Sequence, residues 1–512
     1  MPTSLSPTTP RPQRLAVIGA GWAGLAAAVT ACQRGMAVTV WEAARTPGGR
    51  ARSVAVRSPT GAALTLDNGQ HILIGAYRDS LALMRTVGAD PARCLQRLPL
   101  DLRDTRNRGL VLPALPRWWP AAWQGVAGAI GIARARGWPL AERWALLRTL
   151  AAWQRAGFRC APQASVAQLC QRLPARLVQQ LIEPLCTAAL NTPIEHASAE
   201  VFLRVLQESF DGGPGSADLL LPTVPLGALL AEPACDWLRR HGAQVRLGER
   251  VTHLARATNA AHASAAPRWL VEGEAFDALI IATPAPEAAR LLHSLTQTGG
   301  EADATAHDAA PATDATATQA ALAWARTAQA LQHEPIGTVY LQAQTPDGRP
   351  LPTQALAQAK TQVNAPKRAP LLARPMLASS LGGAEAPAQF IFDRQRLSGD
   401  AGVVAWVAST LRLDKPALER AICQQALHEM AQPHLLAPGL GPLRWQALAA
   451  IVEKRATFAC TTGLQRPPPT LPHPAWQGLA LCGDYVQGPY PATLEGAVRS
   501  GQQAIAALAP CT

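Results

Sequence analysis

Gly19, Gly21 and Gly24 stand in the order G-x-G-x-x-G, and Glu42 follows at the end of the next apolar run. These residue types at this spacing suit a dinucleotide. Gly19 permits a tight turn, Gly21 lets backbone approach a pyrophosphate, and Gly24 lets a helix pack closely on a strand. The N-terminus of that helix can hold phosphate oxygens. The Glu42 carboxylate can accept hydrogen bonds from ribose hydroxyls. A second glycine turn, Gly48-Gly49-Arg50, comes soon after. Far along the chain, Gly483-Asp484 closes an apolar run, and Thr493 and Glu495 stand at the opening of an Ala-rich helix. A polar turn also carries Gln70 and His71, and histidine is well poised for proton transfer near neutral pH.

The hydrophobic pattern shows which elements must hold these groups. Leu15–Ile18 reads as a buried parallel strand, Leu25–Arg34 as a helix ended by Gly35, and Ala37–Trp41 as a second strand. Residues 64–75 read as a strand, an Asn-Gly turn and another apolar stretch, leading to a helix over Leu81–Val87 closed by Gly88. The nucleotide fold resumes with a helix over Cys235–His241 and strands over Ala243–Leu247, Glu249–Leu254, Trp269–Val271 and Phe276–Ala282. Ile336–Leu341, Gln389–Phe392 and Val403–Val407 suggest an antiparallel sheet flooring a pocket, and Leu448–Phe458 is a further strand. Ala417–Met430 is helical, with Pro416 in its first turn, where a missing N–H does no harm. A final strand ends at Asp484, and a helix N-terminus opens at Pro491–Thr493, where it can stabilise negative charge.

A chain of 512 residues is too long for one compact core, so two or three interleaved domains are expected. The segments read as an arm at 1–13, nucleotide-domain parts at 14–90, 234–290 and 448–512, and a helical, membrane-facing or substrate region at 91–233. An Ala/Thr-rich insertion at 296–320 and a substrate sheet with helices at 321–447 complete the chain, with a variable loop at 351–370. The fold class is thus α/β: a Rossmann-like nucleotide domain, an interleaved α+β substrate domain and a helical region. Pro184 should kink or break the helical stretch Pro174–Leu190. The net charge of +12 fits nucleic acid, an anionic membrane or simple solubility, and no nucleic-acid motif is visible. Ten scattered cysteines form no C-x-x-C pair and no Cys/His metal spacing, which predicts neither disulfides nor a metal site but inert thiols in a reducing cytoplasm. The N-terminus lacks the apolar run of a signal peptide.

Residues 101–160 stand apart, with ten arginines against three acids and six of the fourteen tryptophans. Trp118, Trp119, Trp123, Trp138, Trp144 and Trp153 flank a short apolar run too short to span a bilayer. Trp and Arg beside such a run suit an interfacial segment, and a mobile helical cap over an apolar pocket is the other reading.

The G-G-R-x-x-S extension at 48–53 resembles the flavoprotein superfamily of amine oxidases and phytoene desaturases. That resemblance implies FAD, with Gly48, Gly49 and Arg50 near the diphosphate and flavin and the backbone of Val251 near the adenine. Asp484 would then accept a ribityl hydroxyl, Thr493 would sit at the helix end facing the flavin, and Glu495 would cap its helix or bond the flavin. Within the superfamily, LDNGQHILIGAYRDSL (66–81), FDR (392–394), VEKRATF (452–458) and GPYPATLEGAVRSG (488–501) resemble the hydroxysqualene dehydroxylases. This family is bacterial, and the resemblance implies conversion of hydroxysqualene to squalene in hopanoid synthesis, with reduced FAD supplying a hydride. It further implies an isoprenoid lipid substrate and association with squalene-synthase-like enzymes. Such a hydrocarbon is almost insoluble in water, so the Arg/Trp segment 101–160 is expected to dock on an anionic membrane, with the protein in the cytoplasm peripheral to the inner membrane. His71 is the candidate acid, with Gln70 or Tyr490 orienting the hydroxyl; a structural role for His71 beside the flavin stays open, and Asp393 is another candidate acid. A carotenoid-type desaturase, an amine oxidase and a non-catalytic lipid carrier are the rival readings.

Overall fold

The computed structural model describes residues 13–57, 61, 63–257, 268–297, 315–349, 351, 370–383, 385–438, 440 and 442–508. Most of the expected N-terminal arm, the centre of the Ala/Thr-rich insertion and most of the 351–370 loop lie outside the described residues.

A five-stranded parallel sheet forms one half of the molecule. Its order is Leu479–Leu481, Ala278–Ile281, Arg14–Ile18, Ala37–Glu42 and Gln244–Leu247, so strands from three distant parts of the chain close one layer. The first strand is apolar throughout because both faces are covered. Leu15 and Val17 pack with Ala26, Val29 and Ile505 of the covering helices, while Ala16 and Ile18 face the cluster that holds Trp41, Trp269 and Phe276. The helices Trp22–Gln33 and Leu494–Ala507 cross that first face together. A three-stranded antiparallel sheet, Leu254–Ala257, Arg268–Val271 and Glu274–Phe276, covers part of the other.

The expected antiparallel sheet is present, in the order Met376–Ala378, Phe390–Asp393, Val403–Ala408, His333–Gln344 and Arg444–Phe458. Period-two alternation sorts its side chains. Val339, Leu341 and Trp406 pack on Leu418 and Ile422 of the helix Lys415–Glu429, whereas Tyr340, Phe390 and Val407 face Leu66 and Leu221 on the cavity side.

Several expectations shift. Glu249–Leu254 is not a strand: Gly248 and Glu249 donate backbone bonds to the carbonyls of Ala44 and Glu42, tying the chain to the loop after the second strand, and a strand starts only at Leu254. The 91–233 region is not wholly helical, because Leu219–Pro222 pairs with Leu95–Leu98 on one side and with Leu73–Ile74 on the other in a small antiparallel sheet. The 296–320 insertion is trimmed at both ends by helices, Ala285–Gln297 before it and Ala315–Gln329 after it. Pro184 does not break its helix. The chain runs through a π turn at Val178–Ile182 directly into Glu183–Leu190, and the same arrangement, Gly227–Ala231 into Glu232–Arg240, precedes Pro233. A proline in a helix removes an N–H and pushes against the carbonyl four residues back, and a widened turn relieves both faults.

Candidate flavin and substrate site

The two glycine turns are built against each other. Gly19 (φ +108°) leaves the first strand, and a Cβ there would sit 2.6 Å from the Ala282 carbonyl oxygen. At Gly24 a Cβ would lie 1.9 Å from the Gly19 oxygen, which is the close helix–strand approach expected of it. Gly21 differs, since a Cβ there would meet nothing within 4 Å, and its backbone borders the cavity. The second turn docks on the first: Gly48 N donates to Ala20 O at 2.8 Å, and both Gly48 (φ +110°) and Gly49 (φ +61°) occupy backbone regions that favour glycine. Glu42, at the end of the second strand, accepts from Ala20 N and Ala44 N, each at 2.8 Å, so its carboxylate shapes the turn as well as facing the cavity.

The C-terminal part completes the wall. Arg50 donates to Asp484 at 2.5 Å and to the Ala456 carbonyl at 2.8 Å, joining the second glycine turn to the last strand. Thr493 caps the helix Leu494–Ala507 by accepting from Gly496 N, and Ala492 beside it holds φ +56°. Val251 is buried, borders the cavity, and accepts from Arg290 through its carbonyl.

Two expected site residues point elsewhere. Glu495 is fully buried, and its oxygens accept from Asp79 N, Ser80 N and the Ser80 hydroxyl while pairing with Arg499. It therefore caps the helix Arg78–Thr86 from outside and does not border the cavity. Asp393 is also fully buried, and accepts from Leu371 N, Leu372 N and Arg396 N. Burial pushes its carboxyl above the usual range, and those backbone bonds pull the other way. It is a backbone anchor, not an accessible acid.

One continuous cavity of about 940 Å³ runs from these turns into the helical region. Gln70, His71 and Tyr490 border it, as expected. Beyond the turns its wall turns apolar, with Leu112, Leu146, Leu185, Val205, Phe210 and Phe390 among its residues. Burial pulls the His71 imidazole below its ordinary 6.5; nearby Asp67 opposes the shift and Arg50 reinforces it. Tyr490 is pushed up to about 12 by burial and by Glu208, and the Arg499 guanidinium lies 4.4 Å from its ring centre.

Under Gln70 lies a network that the sequence reading missed. Arg394, with 3% of its side chain exposed, bonds Asp67 at 2.8 Å, Asp400 at 3.0 Å and the Gln70 amide oxygen at 3.3 Å. Gln70 Nε2 donates to the Tyr340 hydroxyl, which donates to the Asp67 carbonyl. Asp67 and Arg394 both fall in segments that carried the family resemblance, but nothing in their spacing shows that they meet.

The residues fit a flavin dinucleotide. The Gly21 face is open, and the buried Trp22 Nε1, Asn68 Oδ1, His71 Nδ1 and Thr283 Oγ1 find no protein partner among the described residues, though all four side chains border the cavity. Buried polar atoms left in this state call for a polar ligand.

Fold and site together define an FAD-dependent oxidoreductase. The chain belongs to the flavin containing amine oxidoreductase family, whose profile matches residues 22–509. Among curated proteins it is similar to a hydroxysqualene dehydroxylase from Rhodopseudomonas palustris, 26% identical over 95% of this chain and 96% of that one. A second hydroxysqualene dehydroxylase, from Sinorhizobium fredii, is 28% identical, and that match spans 56% of this chain and 64% of the relative. Among solved structures, an oxidoreductase from Methanosarcina mazei shares the fold with a TM-score of 0.59 at 13% identity, covering 96% of this chain and 100% of that one.

Proposed function

We propose that this protein removes the hydroxyl of hydroxysqualene to give squalene. The observation that carries this reading is the cavity, which continues from a dinucleotide cradle into a chamber walled largely by apolar side chains. Full-length similarity to a hydroxysqualene dehydroxylase supports it. A bound reduced flavin supplies the hydride. The chain's own residues handle the hydroxyl. Replacing C–OH by C–H with loss of water consumes one hydride and one proton, and hydroxide leaves poorly unless protonated. His71 donates that proton. An imidazolium whose pKa is depressed is a stronger acid than one in water, which suits protonation of an alcohol. Gln70, held at both ends of its amide by Arg394 and Tyr340, orients the hydroxyl.

The test is anaerobic mixing of reduced holoenzyme with hydroxysqualene, following flavin reoxidation and squalene together. Equal yields of oxidised flavin and squalene are expected, and reduced flavin that persists beside unchanged substrate refutes the reading. The proton step adds a pH signature. His71 is mostly neutral at pH 7, so the single-turnover rate should rise as pH falls toward its lowered pKa. His71→Gln should flatten that rise while keeping its flavin.

A further inference from the structure

The proposed substrate is a hydrocarbon that partitions out of water, and the molecule carries one surface suited to meet it. The helices Ala122–Ala133 and Leu140–Arg155 have two apolar faces. Their inner faces supply Gly128, Ile132, Leu146, Leu150 and Trp153 to the cavity wall. Their outer faces and the adjoining loop expose Trp118 (83%), Leu140 (78%), Trp144 (67%), Trp123 (44%) and Val126 (43%). Almost every other large apolar side chain of the described residues is covered, with Leu427 the one further exception. Within each helix the exposed residues follow helical spacing, Trp123 with Val126 and Leu140 with Trp144, so each forms a stripe on one side.

The charges around this face are one-sided. The acids of the segment are taken up in ion pairs, Asp101 with Arg103 and Arg374, Asp104 with Arg108, and Glu142 with Arg176. Arg117, Arg134, Arg136, Arg148, Arg155 and Arg159 are exposed, and none pairs with a carboxylate among the described residues. Tryptophans with surrounding unpaired arginines match the boundary of an anionic bilayer, where indole sits at headgroup depth and guanidinium meets phosphate. A protein partner of ordinary interface composition would leave six arginines to be matched by its own acids. Among the described residues no helix is long and apolar enough to cross a membrane. The face is therefore suited to lie on a bilayer.

We propose that the outer face of this helical pair docks on anionic lipid, placing the apolar cavity one helix layer below the membrane surface. This rests on the reading of the substrate as a bilayer-dissolved hydrocarbon, and the test separates the two. Purified holoenzyme is floated with phosphatidylcholine vesicles and with vesicles of phosphatidylcholine mixed with phosphatidylglycerol. Wild type should float with the mixed vesicles and far less with the neutral ones, and added salt should weaken the binding. Trp118→Ser/Trp123→Ser/Trp144→Ser should lower partitioning at least about tenfold, and each arginine changed to glutamine should lower it roughly fivefold. None of these side chains borders the cavity, so bound flavin and turnover of detergent-dispersed substrate should be unchanged, while turnover of vesicle-borne substrate falls. Equal flotation of wild type and the tryptophan variant overturns the proposal, whatever the substrate. So does a wild-type dimer in sedimentation that the tryptophan variant converts to monomer, because a second copy would then be what covers the face.

Discussion

A methyl group at Gly21 would meet open space, whereas one at Gly24 would fall 1.9 Å from a carbonyl oxygen. Both glycines belong to one fingerprint, yet they serve different ends. Gly21 keeps a ligand's space empty, and its backbone (φ −75°, ψ 177°) is one that any residue can adopt. Gly24 keeps a helix against a strand. Gly21→Val should therefore fold with a near-normal melting temperature and purify colourless. Gly24→Ala should force the helix outward, at a cost of about 1–3 kcal/mol, and lose flavin only as a consequence of lost stability. Melting curves and flavin absorbance per protein, measured on both variants, check the pair. A yellow Gly21→Val protein would mean that the pyrophosphate does not cross this turn.

At the scale of elements, the strand ending at Asp67, the turn 68–71 and the strand ending at Asp393 are pinned by one guanidinium. Arg394 sits between two carboxylates with almost no exposure. Arg394→Met would leave the buried Asp67, and the partly exposed Asp400 beside it, without their cation, a loss of about 3–5 kcal/mol. It would also release the Gln70 amide. The expected outcome is a clear drop in the urea midpoint together with slower single turnover in the protein that remains folded. An unchanged midpoint would show that the carboxylates find other partners. The same network marks where sequence reading stops. The glycine fingerprint was legible because its φ angles and close contacts are local demands that few residues meet. His71 and Gln70 stood out because they lie in a polar turn between apolar runs. Arg394 reaches Asp67 from 327 positions away, and only the packing of the antiparallel sheet on that turn brings them together. Glu495 misled for the same reason: its position at a helix start is local, but the backbone it caps belongs to the helix Arg78–Thr86.

Across the whole molecule, the cavity is closed by the two ends of the chain acting together. The helices Trp22–Gln33 and Leu494–Ala507 touch so closely that a Cβ on Gly501 would lie 2.1 Å from the Ala23 oxygen. The Arg34 guanidinium donates to the Ile505 carbonyl at 3.2 Å, and Arg50 pairs with Asp484 across the cradle. A flavin dinucleotide in this cradle would touch residues from both ends, so binding it should stabilise the parallel sheet as a unit and not one loop. Mass action sets the size of the effect, about 2.7 kcal/mol when free FAD stands at a hundred times its Kd. In a chain this large that is a shift of a few degrees in melting temperature. Removal of the flavin should therefore lower the melting temperature, and added FAD should restore it in a concentration-dependent way. Hydrogen exchange gives the sharper reading. On flavin removal, amides of both Trp22–Gln33 and Leu494–Ala507 should lose protection in parallel, because neither helix keeps its packing when the other loosens. Loss of protection in the N-terminal helix alone would mean that the cofactor is held by the first glycine turn, with the C-terminal strand and helix serving only as a lid.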